Sequence, residues 1–169
     1  MVPVLIESES TSIENKIMTE KNEKGFSHKF FIVHGHNNEK KLEIARFIET
    51  KLKKQAIILH EMASEGKTII EKFEKHSEVD FAVALWTADD LGKTKTEEDL
   101  KYRARENVVY ETGYFAGKLG RGRVIVLREN DVAIPSDLLG VLYIELSSDW
   151  KEELRKEIDF IYHVKDNNH

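Results

Sequence analysis

The chain has 169 residues, 40% of them apolar and 34% charged, with a formal charge of −5 and no cysteine. That length supports one domain with a proper core and a short extra segment. The missing cysteine excludes disulfides and thiol chemistry and fits a cytoplasmic location. An acidic balance with no dominating basic face speaks against nucleic acid as a partner. No apolar run approaches the roughly 20 residues that span a bilayer, so no membrane is expected.

Residues 1–28 begin with a short apolar stretch (Val2, Val4, Leu5, Ile6) and continue rich in Glu, Ser, Lys and Asn. They read as a flexible arm or linker. The apolar run 30–33 suits a buried parallel strand ended by His34, Gly35 and His36. Asn37 or Asn38 then caps a helix to about residue 54, with Leu42, Ala45, Ile48 and Leu52 on its inner stripe. A second strand covers 56–59. After a loop over 60–67, Thr68 and Glu71 form a capping box opening a helix with Ile69, Ile70 and Phe73 inward.

The third strand, 79–86, is the most hydrophobic and therefore central. A long polar loop from Thr87 to about Tyr102 precedes a helix over 103–119. Strands four and five lie at 123–127 and 141–144, joined through a turn at 134–140. A closing helix over 149–163 and a polar tail, 164–169, complete the chain, so the main domain is expected over 29–163. Apolar strands alternating with helices imply an α/β fold of the flavodoxin-like kind. Its sheet has five parallel strands in order 2-1-3-4-5, with helices on both faces. Ligands in such sheets bind beyond the carboxyl ends of the strands, near the switch between strands one and three. That gathers His34, Gly35, the loop around Gly66, Trp86 and Asp89 around one crevice.

The helix over 103–119 carries an anomaly. At about 100° per residue, Ala104, Val108, Phe115 and Leu119 share an apolar stripe, and Glu111 projects into its middle. A carboxylate against a core must be paired, shift its pKa, or serve chemistry. Asn107 is its neighbour one turn earlier, either hydrogen-bonding it or joining it to grip ribose hydroxyls. Trp86 is either a core cap or a stacking platform. Arg103 and Arg105 either sit on a solvated helix start or face an anionic ligand.

Other chemistries fit less well. Gly66, Lys67 and Thr68 resemble the end of a phosphate loop, but Glu61 stands where the motif needs glycine. A phosphotransfer receiver would need acidic residues where His34, Gly35 and His36 stand. No Gly-x-Ser-x-Gly turn marks a hydrolase nucleophile. His34 and His36 have no third ligand at a recognisable spacing, so no metal site is expected.

Several ordered segments resemble a prokaryotic TIR-like family, predicted to bind nucleotides and found in bacterial STING effectors and cyclic-pyrimidine antiphage systems. They are Phe-Ile-Val-His-Gly at 31–35, Ile-Leu-His-Glu at 58–61, the run 66–74, Val-Asp-Phe-Ala-Val at 79–83, and the stretches 103–121 and 134–143. The resemblance covers 29–146. It implies a TIR fold and cleavage of NAD at the nicotinamide–ribose bond, with NAD as substrate and no resident cofactor. The family's catalytic glutamate, in Asn-Val-x-x-Glu-x-Gly, maps to Glu111. His34, Gly35, Trp86, Asp89, Arg103 and Asn107 are expected to shape the NAD site. The resemblance further implies self-association through TIR–TIR contacts, partnership with a cyclic-nucleotide sensor, and a setting in antiphage defence. Two alternatives stay open: a non-enzymatic nucleotide-binding scaffold, and a nucleoside deoxyribosyltransferase-like enzyme.

Overall fold

The computed structural model describes residues 25–59, 65, 66, 68–147 and 149–164. The expected arm therefore lies outside the described residues as far as residue 24, and of the 60–67 loop only Glu65 and Gly66 are described. The elements run β1 (Lys29–Val33), α1 (Asn38–Thr50), β2 (Gln55–Ile57), α2 (Ile69–Lys75), β3 (Phe81–Trp86) and β4 (Asp90–Gly92). They continue with β5 (Lys101–Arg103), α3 (Glu106–Leu119), β6 (Val124–Arg128), β7 (Leu142–Glu145) and α4 (Trp150–Val164). By compactness the chain divides into two units, Ser27–Arg155 with the sheet, and Met1–Phe26 with Lys156–His169. In the second unit the rings of Phe26 and Tyr162 lie 4.3 Å apart.

The sheet is parallel throughout, in the order β2-β1-β3-β6-β7. This is the expected doubly wound arrangement, since β4 and β5 do not enter the sheet. They form a separate antiparallel hairpin inside the stretch read as loop. Its pairing also shortens the following helix. Arg103 lies opposite Asp90 in the hairpin, so α3 begins at Glu106 rather than at Arg103.

Every residue of β3 is buried, as a central strand with both faces covered requires. Side chains alternate between faces. Ala82, Ala84 and Trp86 belong to the core shared with Phe73 of α2 and Val108 and Phe115 of α3. The Phe31 ring sits 5.4 Å from Phe73 and 4.8 Å from Phe115. α1 packs against β1 and β2, and its Phe47 meets Trp150 at the start of α4 edge-on at 5.6 Å.

Helix starts follow local chemistry. The Asn37 side chain accepts from the Lys40 N–H and caps α1. Thr68 and Glu71 form the reciprocal capping box at α2. Two expected inner faces are nonetheless rotated. Leu42 is 52% exposed, and α1 buries Lys41, Ile44, Ala45, Phe47 and Ile48 instead. Ile69 and Ile70 are 76% and 64% exposed. In α2 the inward apolar residue is Phe73, a turn beyond both. Among the described residues no helix is long and apolar enough to cross a membrane.

Trp86 is wholly buried, and its indole N–H donates to the Thr112 hydroxyl at 3.0 Å. That hydroxyl in turn donates to the Val108 carbonyl at 2.6 Å. Thr112→Val keeps the shape and strips the acceptor, leaving a buried N–H unpaired. The expected loss is about 1–3 kcal/mol of stability, read as a lower urea midpoint at an unchanged slope.

Candidate active site

α3 turns Val108, Thr112 and Phe115 into the core. Glu111 then stands about 60° from Val108 at about 100° per residue. It lies at the margin of the apolar stripe rather than in its middle, and the wholly buried polar residue of the helix is Thr112. Glu111 is half-buried and faces a cavity of about 250 Å³ between α2 and α3. Ile69, Ile70, Phe73 and Glu74 form the α2 wall, and Asn107, Tyr110 and Tyr114 join Glu111 on the α3 wall.

Burial raises the Glu111 pKa from the ordinary carboxylate range to about 7. Among the described residues nothing offsets this: Glu111 makes no hydrogen bond and no ion pair. The neighbouring amide of Asn107 lines the same cavity without bonding to the carboxylate. Lys118, one turn beyond Tyr114 on the same helix, turns away. Its ammonium donates to Glu78 at 2.5 Å and to the Ser77 hydroxyl at 2.9 Å. The aromatic wall is well braced, with Tyr114 edge-on to Phe73 at 4.8 Å and to Phe115 at 5.5 Å.

The residues expected to shape one site separate into four places. His34, Gly35 and Asp89 come together at the carboxyl ends of β1 and β3. A Cβ on Gly35 would lie 2.0 Å from Asp89 Oδ2, so only glycine fits against that carboxylate. Asp89 accepts from the Thr87 hydroxyl at 2.9 Å and from the His36 N–H at 3.3 Å. The Arg105 guanidinium approaches the His36 ring to 2.6 Å, and His34 Nδ1 lies 2.9 Å from the Gly35 carbonyl. This polar knot ties the strand ends to the start of α3, and none of its residues lines the Glu111 cavity.

Trp86 belongs to the core and offers no stacking face. Arg103 is exposed on β5 and lines a different cavity of about 600 Å³. Of the expected site residues only Asn107 shares the Glu111 cavity. The apolar wall of that cavity was missed. Its signal was present, since two adjacent isoleucines at a helix start are about 100° apart and cannot both point inward. Among the described residues no group of three or more His, Cys, Asp or Glu is placed to hold a metal.

Residues 29–148 match the family model described as CAP12/Pycsar effector protein, TIR domain. The chain belongs to this TIR family. Relatives at several distances agree. The uncharacterized protein YuaY of Escherichia coli K12 is 52% identical over 79% of this chain and 46% of its own length. Protein tirC of Dictyostelium discoideum is 38% identical over 78% of this chain and 70% of its own. The Pycsar effector protein PaPycTIR of Pseudomonas aeruginosa is 34% identical over 61% of this chain and 35% of its own. The chain thus matches less than half the length of YuaY and of PaPycTIR.

A raised carboxyl makes the stability of this TIR domain depend on pH. Below pH 4.5 Glu111 is protonated in both folded and unfolded chains. Between 4.5 and about 7 the folded state holds the extra proton, so stability falls as pH rises, and above about 7 the loss is complete. Glu111→Gln removes this dependence. Urea titrations should show the variant gaining on the parent from pH 5 to pH 8, with the difference vanishing towards pH 4.

Proposed function

We propose that this TIR domain breaks the nicotinamide–ribose bond of NAD, with Glu111 as the working carboxylate. The observation that carries the reading is an unpaired, half-buried carboxyl with a pKa near 7 in an aromatic-walled cavity. Such a group suits a cationic substrate. The positively charged nicotinamide ring is apolar on its faces and matches Tyr110, Tyr114, Ile69 and Ile70. Its charge also favours the ionised form of Glu111.

In the reaction, the bond between C1′ and the ring nitrogen breaks and its electron pair stays with nitrogen. Nicotinamide leaves neutral, so no general acid is needed. The ribose becomes oxocarbenium-like, and the Glu111 carboxylate stabilises the positive charge at C1′. Water then adds to C1′ and gives up its proton to Glu111, forming ADP-ribose. Attack by an adenine nitrogen of the same molecule gives a cyclic product instead. Asn107, which lines the same cavity one turn away, holds the ribose hydroxyls in this reading.

The exposed Ile69, Ile70 and Tyr110 at the rim suit completion of the site by a neighbouring copy, so activity is assigned to an assembly. Relatives carrying the names Pycsar effector protein and CD-NTase-associated protein 12 support a role in antiphage defence under a cyclic-nucleotide sensor. The non-enzymatic scaffold reading needs Glu111 paired with Asn107 or an arginine, and no such pair supports it.

The test is nicotinamide release from NAD by concentrated protein. Glu111→Gln should lower kcat by about 10²–10³-fold, the usual weight of one preorganised electrostatic group. Release undiminished in that variant would remove Glu111 from its role. Transfer between deoxynucleosides with NAD left intact would select the deoxyribosyltransferase alternative. Because Glu111 acts ionised, kcat/KM should climb about tenfold per pH unit and level off near pH 7. The inflection in kcat should fall lower, since the bound cation stabilises the carboxylate.

A further inference from the structure

A second cavity, of about 600 Å³, adjoins the first across one side chain. Tyr110 lines both. At about 100° per residue, Glu106 and Val109 fall on one side of Tyr110 along α3, and Tyr114, Asn107 and Glu111 on the other. We propose that the larger cavity receives the adenosine diphosphate half of the dinucleotide whose nicotinamide end faces Glu111. The assignment rests on the NAD reading above and extends it to the rest of the molecule.

Size is the first argument. The Glu111 cavity, about 250 Å³, lies below the roughly 300–1,000 Å³ of ordinary small-molecule sites. It has room for the reacting end of a dinucleotide and not for the whole. The remainder needs a neighbouring space, and the cavity sharing the Tyr110 wall provides one.

Charge is the second. Two cations line the larger cavity, Lys101 and Arg103, beside the carboxylates of Glu97 and Glu106. Lys101 is engaged by Glu97, which also accepts from the Thr94 N–H. Arg103, among the described residues, has no carboxylate partner. Its side chain lies across the backbone of Gly92, where an added Cβ would meet Arg103 Cδ and Nε at 3.1 Å. The guanidinium is thereby laid along the hairpin, with forked donors suited to diphosphate oxygens. Glu106 supplies an acceptor for ribose hydroxyls, the role acidic residues take in dinucleotide-binding folds. Val109, Ile134 and Pro135 offer an apolar surface for the adenine ring.

ADP is the direct probe, because its binding is measured without any cleavage. Calorimetry on the full chain should show ADP binding that weakens by about tenfold or more in Ile134→Trp, which fills the cavity, and in Arg103→Ala, which removes the guanidinium. Unchanged thermal unfolding of the exposed-site variant Arg103→Ala guards against a folding artefact. Kinetically, the ratio of kcat/KM for NAD to that for nicotinamide mononucleotide, which lacks the adenosine half, should fall by about tenfold in both variants, through KM. ADP binding indifferent to both substitutions, or absent from the parent, overturns the assignment. ADP binding as expected, with no nicotinamide released from either substrate, keeps the cavity and removes the cleavage reading. Nicotinamide release with an unchanged selectivity ratio keeps the cleavage and removes the cavity.

Discussion

The indole N–H of Trp86 must find an acceptor in the middle of the core, and much of the site follows from how it does. Thr112 provides the acceptor from α3, and its own hydroxyl proton is spent on the Val108 carbonyl one turn back. With Phe115 packed on Phe31 and Phe73, this fixes the rotation of α3 about its axis. Glu111 is the residue before Thr112. It must therefore emerge about 100° from the bond, at the edge of the core and facing α2. Its desolvation is imposed by the packing of its neighbours, and no nearby cation relieves it.

α2 completes the arrangement by a matching constraint. The capping box between Thr68 and Glu71 sets the first turn, and Phe73 is the residue that reaches the core. Ile69 and Ile70 are then left largely in solvent beside Glu111. Exposed isoleucine is unfavourable by about 25 cal/mol per Å² of apolar surface. A strained carboxyl and an unburied apolar wall sit around the same cavity. The flat, cationic, partly apolar ligand proposed for this cavity would relieve both at once, its charge compensating Glu111 and its faces covering the isoleucines.

Much of this was legible in the residues. Continuously apolar strands with helices between them led to the parallel sheet and its order, and the cap residues Asn37 and Thr68 marked two helix starts. Glu111 stood out because a charge interrupts an apolar period. What failed did so for physical reasons. The hairpin β4–β5 has strands of three residues each, too short for any two-residue alternation to show. Its pairing moved Arg103 off α3, at whose start the helical reading had set it. Trp86 ends a strand whose every residue is buried, so its position after the apolar run meant core and not platform.

The expectation of a single crevice failed for a more instructive reason. The ends of β1 and β3 do converge, but among the described residues they meet the protein's own groups: the Asp89 carboxylate against Gly35, and Arg105 against His36. A carboxylate, a guanidinium and an imidazole at strand ends resemble a binding site in sequence, because the same residue types serve both purposes. Here Asp89 accepts from the Thr87 hydroxyl and the His36 N–H, Arg105 meets the His36 ring, and the start of α3 is tied to two strands of the sheet. Their connection to Glu111 runs through the helix, since anchoring its first turn helps hold the angle at which Glu111 leaves the core six residues later. On the proposed function, the rule that open sheets bind ligands at their strand ends applies at one remove. The strand ends position a helix, and the helix carries the carboxylate to a cavity on its flank.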